Sequence, residues 1–353
     1  MKKHFMIFGI LCCLSLFVFP IHHSSAAPMT LRIASPYHKD SLLAATTKIF
    51  LEEMQKQSGG QITFTEFWGG TLVKPLEVLD AVGKGVVDLC TGLWIYAPGK
   101  VPLGTFEYNF IFNDPNRRTQ SKIKREMYET IPALKEELAK YNIAPPFIFG
   151  PLSAYDIISR VPVKTLDDLK GKRIGATPTQ YAPIAKAIGM APVLSPAPDF
   201  YERLERGVID MAFCGKEVLH MVKLHEIAKH FLSVELNTPT TMSLWMNLDT
   251  WKKLTPEQRD LFLKVGKRSE EVYLDWFDQH LKKVDEDFKN KGVMINTLSE
   301  KDKKQWAAVM PDLPAEWAKE MEAKGLPGWK ITDTYLELSE KAGWKFPRRW
   351  GQR

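Results

Sequence analysis

Apolar and polar residues along the chain follow two spacings, and the switches between them define the predicted elements. Residues 31–35 and 62–67 are short apolar or alternating runs, which are typical of strands. Residues 42–54 carry apolar side chains at helical spacing, and Ser58-Gly59-Gly60 ends this helix. Strand, helix and strand in this order predict the first β-α-β unit of an α/β lobe with parallel strands.

A short pattern, Gly-Val-(Val/Ile)-Asp-(Leu/Met), occurs at residues 85–89 and again at residues 207–211, each time after an amphipathic helical stretch. In each copy the glycine can end the helix in a left-handed conformation, and the residues after it can enter a buried parallel strand. We expect these strands to span residues 85–92 and 207–215. One copy could arise by chance, but the shared context favours two related lobes.

The second lobe is predicted to begin near Leu166, with a strand at residues 172–176 and a helix at residues 182–188 that Gly189 closes. Two apolar, extended stretches, at residues 148–158 and 237–248, are predicted to cross between the lobes. Ligands of open α/β sheets bind beyond the carboxyl ends of the strands. The pattern therefore predicts a ligand cleft between two lobes.

A long helix is predicted in the last third of the chain. Thr255-Pro256-Glu257-Gln258 is a strong helix start, and no clear stop occurs before Gly292. A helix over residues 256–291 would be about 54 Å long, so we expect it to bridge both lobes. The alternative is a helix that breaks at Gly266.

The first 26 residues are typical of an export signal. Lys2 and Lys3 precede an apolar stretch at residues 5–19, and small residues at 24–26 favour cleavage near Ala26. A single membrane anchor is the alternative, but the apolar stretch is short for a span. Removal of this segment would leave two cysteines, Cys90 and Cys214, which form no disulfide framework.

Composition and motifs argue against nucleic-acid binding and against common enzyme classes. The 353 residues carry a net charge of only +6, with no basic run to bind nucleic acid. No HExxH, CxxC, Gly-x-Ser-x-Gly or P-loop motif is present, and no cofactor is predicted. His220, His225 and His230 are each five residues apart, which does not align imidazoles on one helix face, so no metal site is expected. Cys214 and His220 are too poorly spaced to suggest a nucleophile pair. An exported binding protein fits better than an enzyme.

The ordered set of motifs resembles one known family. A leader peptide is followed by Ser-Gly-Gly at 58–60, Leu-Lys-Gly-Lys-Arg-Ile at 169–174, Ile-Gly-Met-Ala-Pro-Val at 188–193 and Leu-Thr-Pro-Glu at 254–257. Together with Gly-Val-Ile-Asp at 207–210, this set is similar to the solute-binding proteins of tripartite ATP-independent periplasmic (TRAP) transporters. The resemblance covers nearly the whole chain after the leader.

The resemblance implies an α/β fold of the two-lobe, type II-like periplasmic binding protein class, with crossing strands and a long bridging helix. Lobe I would comprise residues 27–152 plus 241–280, and lobe II residues 153–240 plus 281–353. It also implies a periplasmic receptor without enzymatic activity, which delivers a small organic solute to a small and a large membrane subunit.

Three polar anchors of the family are replaced in this sequence. The resemblance places Gly175 where the family usually has an arginine that pairs with a ligand carboxylate, and glycine cannot supply that bidentate contact. A second frequent arginine of the family aligns near Tyr155, and a frequent asparagine aligns with Cys214. The usual recognition of a carboxylate is therefore in doubt.

Three interpretations of the ligand follow. An anion could be held by Lys216, His38 or Lys39, whereas a cation could be held by Asp156 or Glu217 with help from aromatic faces. A less charged, more apolar or aromatic solute is slightly favoured. Its walls would be Trp94, Tyr155, Phe213 and Trp245, with Gly175 providing room. Each of these residues could instead serve the core or the surface.

Other functional classes stay open at this point. A receptor for an ABC importer or a periplasmic sensor domain would share the cleft but gives no reason for the bridging helix. A secreted enzyme of unrecognised type is a further alternative.

Overall fold

A computed structural model describes residues 28–176 and 181–353, which form ten strands and twelve α-helices. The first sheet has the order β2-β1-β3-β9, in which β9 alone runs antiparallel to its neighbour. Its strands are β1 (Met29–Ala34), β2 (Ile62–Phe67), β3 (Leu89–Leu93) and β9 (Met242–Met246). The helices of this lobe are α1 (Ala45–Ser58), α2 (Val78–Gly83), α3 (Arg117–Thr130), α4 (Pro132–Ala139) and α8 (Leu248–Lys253).

The second sheet has the order β10-β8-β4-β7-β5-β6, and only β4 runs antiparallel to its two neighbours. Its strands are β4 (Tyr155–Ser159), β5 (Arg173–Ala176), β6 (Ala191–Leu194), β7 (Met211–Gly215), β8 (His230–Ser233) and β10 (Met294–Thr297). The helices beside it are α5 (Tyr181–Lys186), α6 (Phe200–Glu205) and α7 (Lys216–Met221). Two separate sheets confirm the expectation of two α/β lobes.

The repeated Gly-Val-(Val/Ile)-Asp pattern makes the same turn in both lobes. Gly85 and Gly207 have φ of +70° and +68°, as expected for glycines that end helices. The carboxylates of Asp88 and Asp210 accept the backbone N–H of Arg32 and Arg173, each at 2.8 Å. The strands begin only after these aspartates, at Leu89 and Met211, because the preceding residues form the turn. The predicted strand starts at 85 and 207 are therefore corrected.

Two chain segments cross between the lobes side by side. Gly150 and Met242 exchange two backbone hydrogen bonds of 2.9 Å, and Tyr155 and the segment at 236–237 pair similarly. The predicted crossings at residues 148–158 and 237–248 are confirmed as paired segments, although only parts of them are regular strands. Such a pair of adjacent connections is a suitable hinge.

The long helix α9 (Pro256–Asn290) contains 35 residues and is unbroken, as expected. Thr255 and Gln258 form a capping box at its start. The helix continues through Gly266 without a break. A Cβ at this position would lie 2.6 Å from the carbonyl oxygen of Phe147, so the glycine allows the helix to pack closely against that segment. Phe262 packs in the core of the first lobe, whereas Phe288 packs in that of the second. The helix therefore contacts both lobes.

Three helices end the chain, namely α10 (Glu300–Val309), α11 (Leu313–Ala323) and α12 (Gly328–Lys341). Trp306 of α10 belongs to the core of the second lobe, but Trp317 of α11 and Tyr335 of α12 pack in the core of the first. The division of the chain into lobes at residues 152, 240 and 280 stays a proposal. This packing favours placing α11 and α12 with the first lobe rather than with residues 281–310.

The predicted export signal at residues 1–26 lies outside the described residues. Among the residues described, no helix combines the length and the apolar character needed to cross a bilayer.

Candidate ligand-binding site

The carboxyl ends of the parallel strands of both sheets converge between the lobes. The segment after β1 carries Tyr37, and the 3-10 turn after β3 carries Ile95 and Tyr96. From the other lobe, Cys214 lies near the end of β7. Ile95 packs against the core of the second lobe, so side chains of the two lobes meet here. This is the place where ligands of open α/β sheets bind.

Three aromatic rings form one wall of this region. The ring centroid of Tyr155 lies 4.8 Å from that of Tyr181 and 5.5 Å from that of Phe213, and Tyr181 and Phe213 meet edge to face at 5.3 Å. The pleat explains the meeting of Tyr155 and Phe213. Tyr155 lies opposite Gly215 on β7, two residues beyond Phe213, so both side chains leave the same face of the sheet.

Four tyrosines lie near Cys214, which follows Phe213 at the end of β7. Burial is the main cause of the raised pKa of Tyr96, Tyr108, Tyr155 and Tyr181, and the nearby Cys214 raises the pKa of each further. The pKa of Cys214 is itself raised by burial, so the sulfur is a neutral thiol. We call the following residues the cleft cluster: Tyr37, Ile95, Tyr96, Tyr108, Tyr155, Tyr181, Phe213 and Cys214.

The hydroxyl groups of the cleft cluster differ in their partners. The hydroxyl of Tyr181 donates to Asn237 Oδ1 at 3.0 Å, and the amide of Asn237 donates to the carbonyls of Glu107 and Phe110. The hydroxyl of Tyr37 is buried and has no hydrogen-bond partner among the described residues, and the hydroxyl of Tyr155 makes no hydrogen bond to them either. A buried phenol without a partner loses a hydrogen bond that water would supply, which makes it a good contact for a polar ligand atom.

The two tryptophans predicted as cleft walls lie in the core of the first lobe instead. Trp94 and Trp245 are fully buried, 5.3 Å apart, and Trp94 also packs against Tyr128. A Cβ added at Gly92 would lie 2.6 Å from the indole of Trp245, and one added at Gly104 would lie 2.6 Å from that of Trp94. The backbone at each glycine therefore packs directly against an indole ring. The structure does not bring these side chains into the cleft cluster.

Gly175 lies on the other face of the second sheet from Tyr155 and Phe213. It pairs with Ala212 on β7, and because successive side chains of a strand point to opposite faces, position 175 lies on the face opposite to Phe213. A Cβ at this glycine would lie 2.7 Å from Ile209 Cδ1 and 3.2 Å from Phe200 Cε1. The expectation that Gly175 provides room for the ligand is therefore corrected. The absence of a side chain here leaves room for Ile209 and Phe200, which pack against this face of the sheet.

Glu217 and Asp156, the two carboxylates predicted as counter-charges for a cationic ligand, already accept hydrogen bonds from backbone and hydroxyl groups. Glu217 accepts the hydroxyl and the N–H of Ser153, and Asp156 accepts the N–H of Val234 at 2.7 Å and that of Glu235 at 2.9 Å. Burial raises the pKa of Glu217, and it raises that of Asp156 to about 7. These groups fasten the crossing segments to the second lobe rather than present a free negative charge.

The candidate cations are also engaged elsewhere. Lys216 Nζ contacts both carboxylate oxygens of Asp285 at 2.8 and 2.9 Å, on the side of α9, and Lys39 Nζ contacts Glu66 at 2.8 Å. His38 is exposed beside Gly69. A groove of about 780 Å³ on the α9 side is lined by Lys216, Asp156 and Asp285, among others. Lys216 is already paired with Asp285, whereas Lys282 also lines this groove.

Sequence reasoning missed five members of the cleft cluster, namely Tyr37, Ile95, Tyr96, Tyr108 and Tyr181. Two of them carried a usable signal, because Tyr37 and Tyr96 each follow the last residue of a parallel strand by three positions. Of the nine predicted site residues, the structure brings together Tyr155, Phe213 and Cys214.

Comparison with known proteins agrees with this architecture. The model of the bacterial extracellular solute-binding protein family 7 (DctP) matches residues 34–320. A solute-binding protein from Albidiferax ferrireducens is 26% identical over 270 residues, which cover 73% of this chain and 75% of that protein.

Solved structures share the fold. A TRAP periplasmic solute-binding protein from Desulfovibrio salexigens has a TM-score of 0.74 at 23% identity, covering 89% of this chain and 97% of that one. A marine metagenome TRAP solute-binding protein, specific for aromatic acid ligands, also has a TM-score of 0.74, at 21% identity, covering 89% and 99%. The two-lobe α/β fold expected from the sequence is thereby confirmed.

Proposed function

Because the chain belongs to the bacterial extracellular solute-binding proteins of family 7, we propose that it is the solute receptor of a TRAP transporter. It captures a small organic solute between its lobes and delivers it to a small and a large membrane subunit. Export by the segment at residues 1–26 places it in the periplasm. The similarity in fold to TRAP receptors supports this proposal.

The observation that carries the proposal is the cleft cluster. Its aromatic side chains come from both lobes, and they include Tyr37, whose buried hydroxyl lacks a partner among the described residues. A ligand between them would contact both lobes and would stabilise the closed form by that difference in contacts. The paired crossing segments and α9 provide the hinge.

The solute that fits best has an aromatic or apolar body and one hydrogen-bonding group. Tyr155 and Phe213 supply apolar surface, and the Tyr155 hydroxyl supplies the polar contact. The interpretation of an anion held by Lys216 or Lys39 is weakened, because both lysines pair with carboxylates away from the cluster. The aromatic acid specificity of the marine metagenome relative supports the aromatic class.

The alternative classes have less support. An enzyme that uses Cys214 as a nucleophile would need a thiolate, whereas burial raises the pKa of this thiol. An ABC-importer receptor or sensor domain differs in its partners: neighbouring genes for a small and a large membrane subunit support TRAP, and a neighbouring ATPase gene contradicts it.

The first experiment identifies the solute and tests its contact with Tyr155. Thermal-shift screening covers aromatic acids, amines, sulfonates and dicarboxylates, and calorimetry measures the affinity of each hit. We expect an aromatic solute to bind without turnover. We expect Tyr155→Phe to weaken it about 3- to 10-fold, the effect of one neutral hydrogen bond.

Tyr141→Phe is the matched control, because it removes a half-buried phenol in the first lobe, outside the cleft cluster. Equal affinity of wild type and Tyr155→Phe would contradict the assigned contact. Consumption of the solute by purified protein would contradict the receptor function.

Hinge closure is tested separately by small-angle scattering. We expect the saturating solute to make the protein more compact. An unchanged scattering profile at saturation would contradict capture by lobe closure.

A further inference from the structure

Two histidines and one aspartate converge on the second lobe, away from the cleft cluster. His220 lies in α7, His225 in the 3-10 turn Leu224–Glu226, and Asp287 in the last turn of α9. Asp287 Oδ2 lies 2.9 Å from His220 Nε2 and 3.3 Å from His225 Nε2. One ligand atom of each residue lies within 4.8 Å of the others. The three donor atoms therefore lie close together.

The local backbone explains how a spacing of five residues produces this cluster. Helix α7 ends at Met221, and Lys223 adopts a left-handed conformation with φ of 59°. The chain folds back there, so the two imidazole rings stack at 4.8 Å with an angle of 12° between them. A spacing of five residues separates imidazoles only within one continuous helix, and here the helix ends between His220 and His225. His230 lies in β8 and takes no part.

Two of the three distances between donor atoms are close to those within a tetrahedral metal site. Zn²⁺ binds histidine nitrogen and carboxylate oxygen at about 2.0–2.1 Å, so neighbouring ligand atoms lie about 3.3 Å apart. The two distances from Asp287 are close to this value. The side chain of His225 is only 6% exposed, whereas those of His220 and Asp287 are 29% and 37% exposed. The open side leaves space for a water as the fourth ligand.

We propose that His220, His225 and Asp287 bind one Zn²⁺ ion or a similar divalent transition metal. Two imidazoles and one carboxylate suit Zn²⁺ far better than Ca²⁺ or Mg²⁺, which prefer oxygen ligands. The carbonyl end of α9 also favours a cation near Asp287. Lys229 contacts the carbonyls of His225 and Lys291, and its positive charge lowers the affinity below that of a closed structural zinc site.

The ion would fasten the second lobe to the bridging helix. His220 and His225 belong to the second lobe, whereas Asp287 belongs to α9, which also packs in the first lobe. Helix α7 starts at Lys216, directly after Cys214 and Gly215. A metal at the far end of α7 therefore stabilises the element that follows the cleft cluster. This inference does not depend on the solute or on the proposed function.

The test uses untagged protein stripped with a chelator. We expect calorimetry with Zn²⁺ alone to give one ion per chain and Zn²⁺ to raise the melting temperature, because binding to the folded state stabilises it. Co²⁺ should give the visible absorption of a tetrahedral site. We expect His225→Asn and Asp287→Asn each to weaken Zn²⁺ binding at least tenfold and to abolish the cobalt spectrum.

His280→Asn is the matched control, because His280 also lies on α9 but stacks on Trp276 outside the cluster. We expect it to bind Zn²⁺ like wild type. Circular dichroism of the stripped variants shows that they fold. Absence of Zn²⁺ binding, binding that survives both variants, or equal stabilisation by Ca²⁺ would overturn the proposal.

Discussion

The units around β3 and β7 are built alike up to the end of the strand and differ after it. In both, a helix ends at a left-handed glycine and an aspartate bonds the backbone of the neighbouring strand. After β3 the chain makes a 3-10 turn that buries Trp94 in the core, whereas after β7 it starts α7. The repeated pattern thus stabilises the same helix-to-strand turn in each lobe. The residues that follow the two strands differ, and these residues lie closest to the cleft.

The largest expected effect separates the lobe core from the cleft. Trp94→Ala removes a fully buried indole beside Trp245, so we expect a loss of about 3–5 kcal/mol in the free energy of unfolding. Urea denaturation measures it. Trp276→Ala, at a partly exposed tryptophan of α9, should cost less than about 1 kcal/mol. If Trp94→Ala leaves stability intact but abolishes solute binding, Trp94 belongs to the site after all.

A second effect distinguishes two aspartates of the second lobe by pH. Burial raises the pKa of Asp156 to about 7, so the folded protein retains a proton that the unfolded chain releases near pH 4. The contribution of Asp156 to stability therefore decreases as pH rises from about 4 to about 7, by roughly 3 kcal/mol. We expect Asp156→Asn, which keeps an oxygen acceptor for Val234 and Glu235, to remove this decrease.

Asp210 shows the opposite sign. The hydrogen bond from Arg173 lowers its pKa, so the stability that it contributes is present above pH 4 and is lost as pH falls further. Urea denaturation at pH 5 and pH 8 measures the effect predicted for Asp156, and urea denaturation at pH 3 measures the effect predicted for Asp210. A wild type and an Asp156→Asn variant with parallel pH profiles would refute the assignment to Asp156.

A third prediction concerns the missing side chain at Gly175. Gly175→Val introduces atoms against Ile209 and Phe200, so we expect a loss of about 1–3 kcal/mol in stability. Because this residue faces away from Tyr155 and Phe213, the affinity for the identified solute should change less than twofold. Full stability combined with a large loss of affinity would place Gly175 in the site.

The smallest effect tests the equivalence of the two repeated units. Asp88→Ala and Asp210→Ala each leave a strand N–H without its carboxylate partner, so we expect similar losses of about 1–2 kcal/mol. Asp167→Ala, at an exposed ion pair with Lys170, is the control and should cost less than about 0.5 kcal/mol. Losses that differ severalfold between the two aspartates would show that the units are not equivalent.

Local signals predicted the scaffold well. The alternation at residues 62–67 matches β2 residue for residue, and the capping residues Thr255 and Gln258 start α9 where the sequence places it. These features depend on neighbours along the chain, which the sequence shows directly.

The site was predicted less well because it depends on contacts between distant segments. Tyr96 comes near Cys214 only after the two lobes pack together. Trp94 directly follows β3, but the 3-10 turn directs its ring into the core. Gly175 occupies a familiar position of the family, yet alignment alone does not show which face of the sheet it leaves.

The most direct test of the central claim is a crystal structure with the identified solute bound. The solute should lie between the lobes, with a polar atom about 2.7–3.0 Å from the Tyr155 hydroxyl and its apolar part against Phe213. A solute found in the groove beside Lys216 and Asp285, or on the surface of one lobe alone, would contradict the claim.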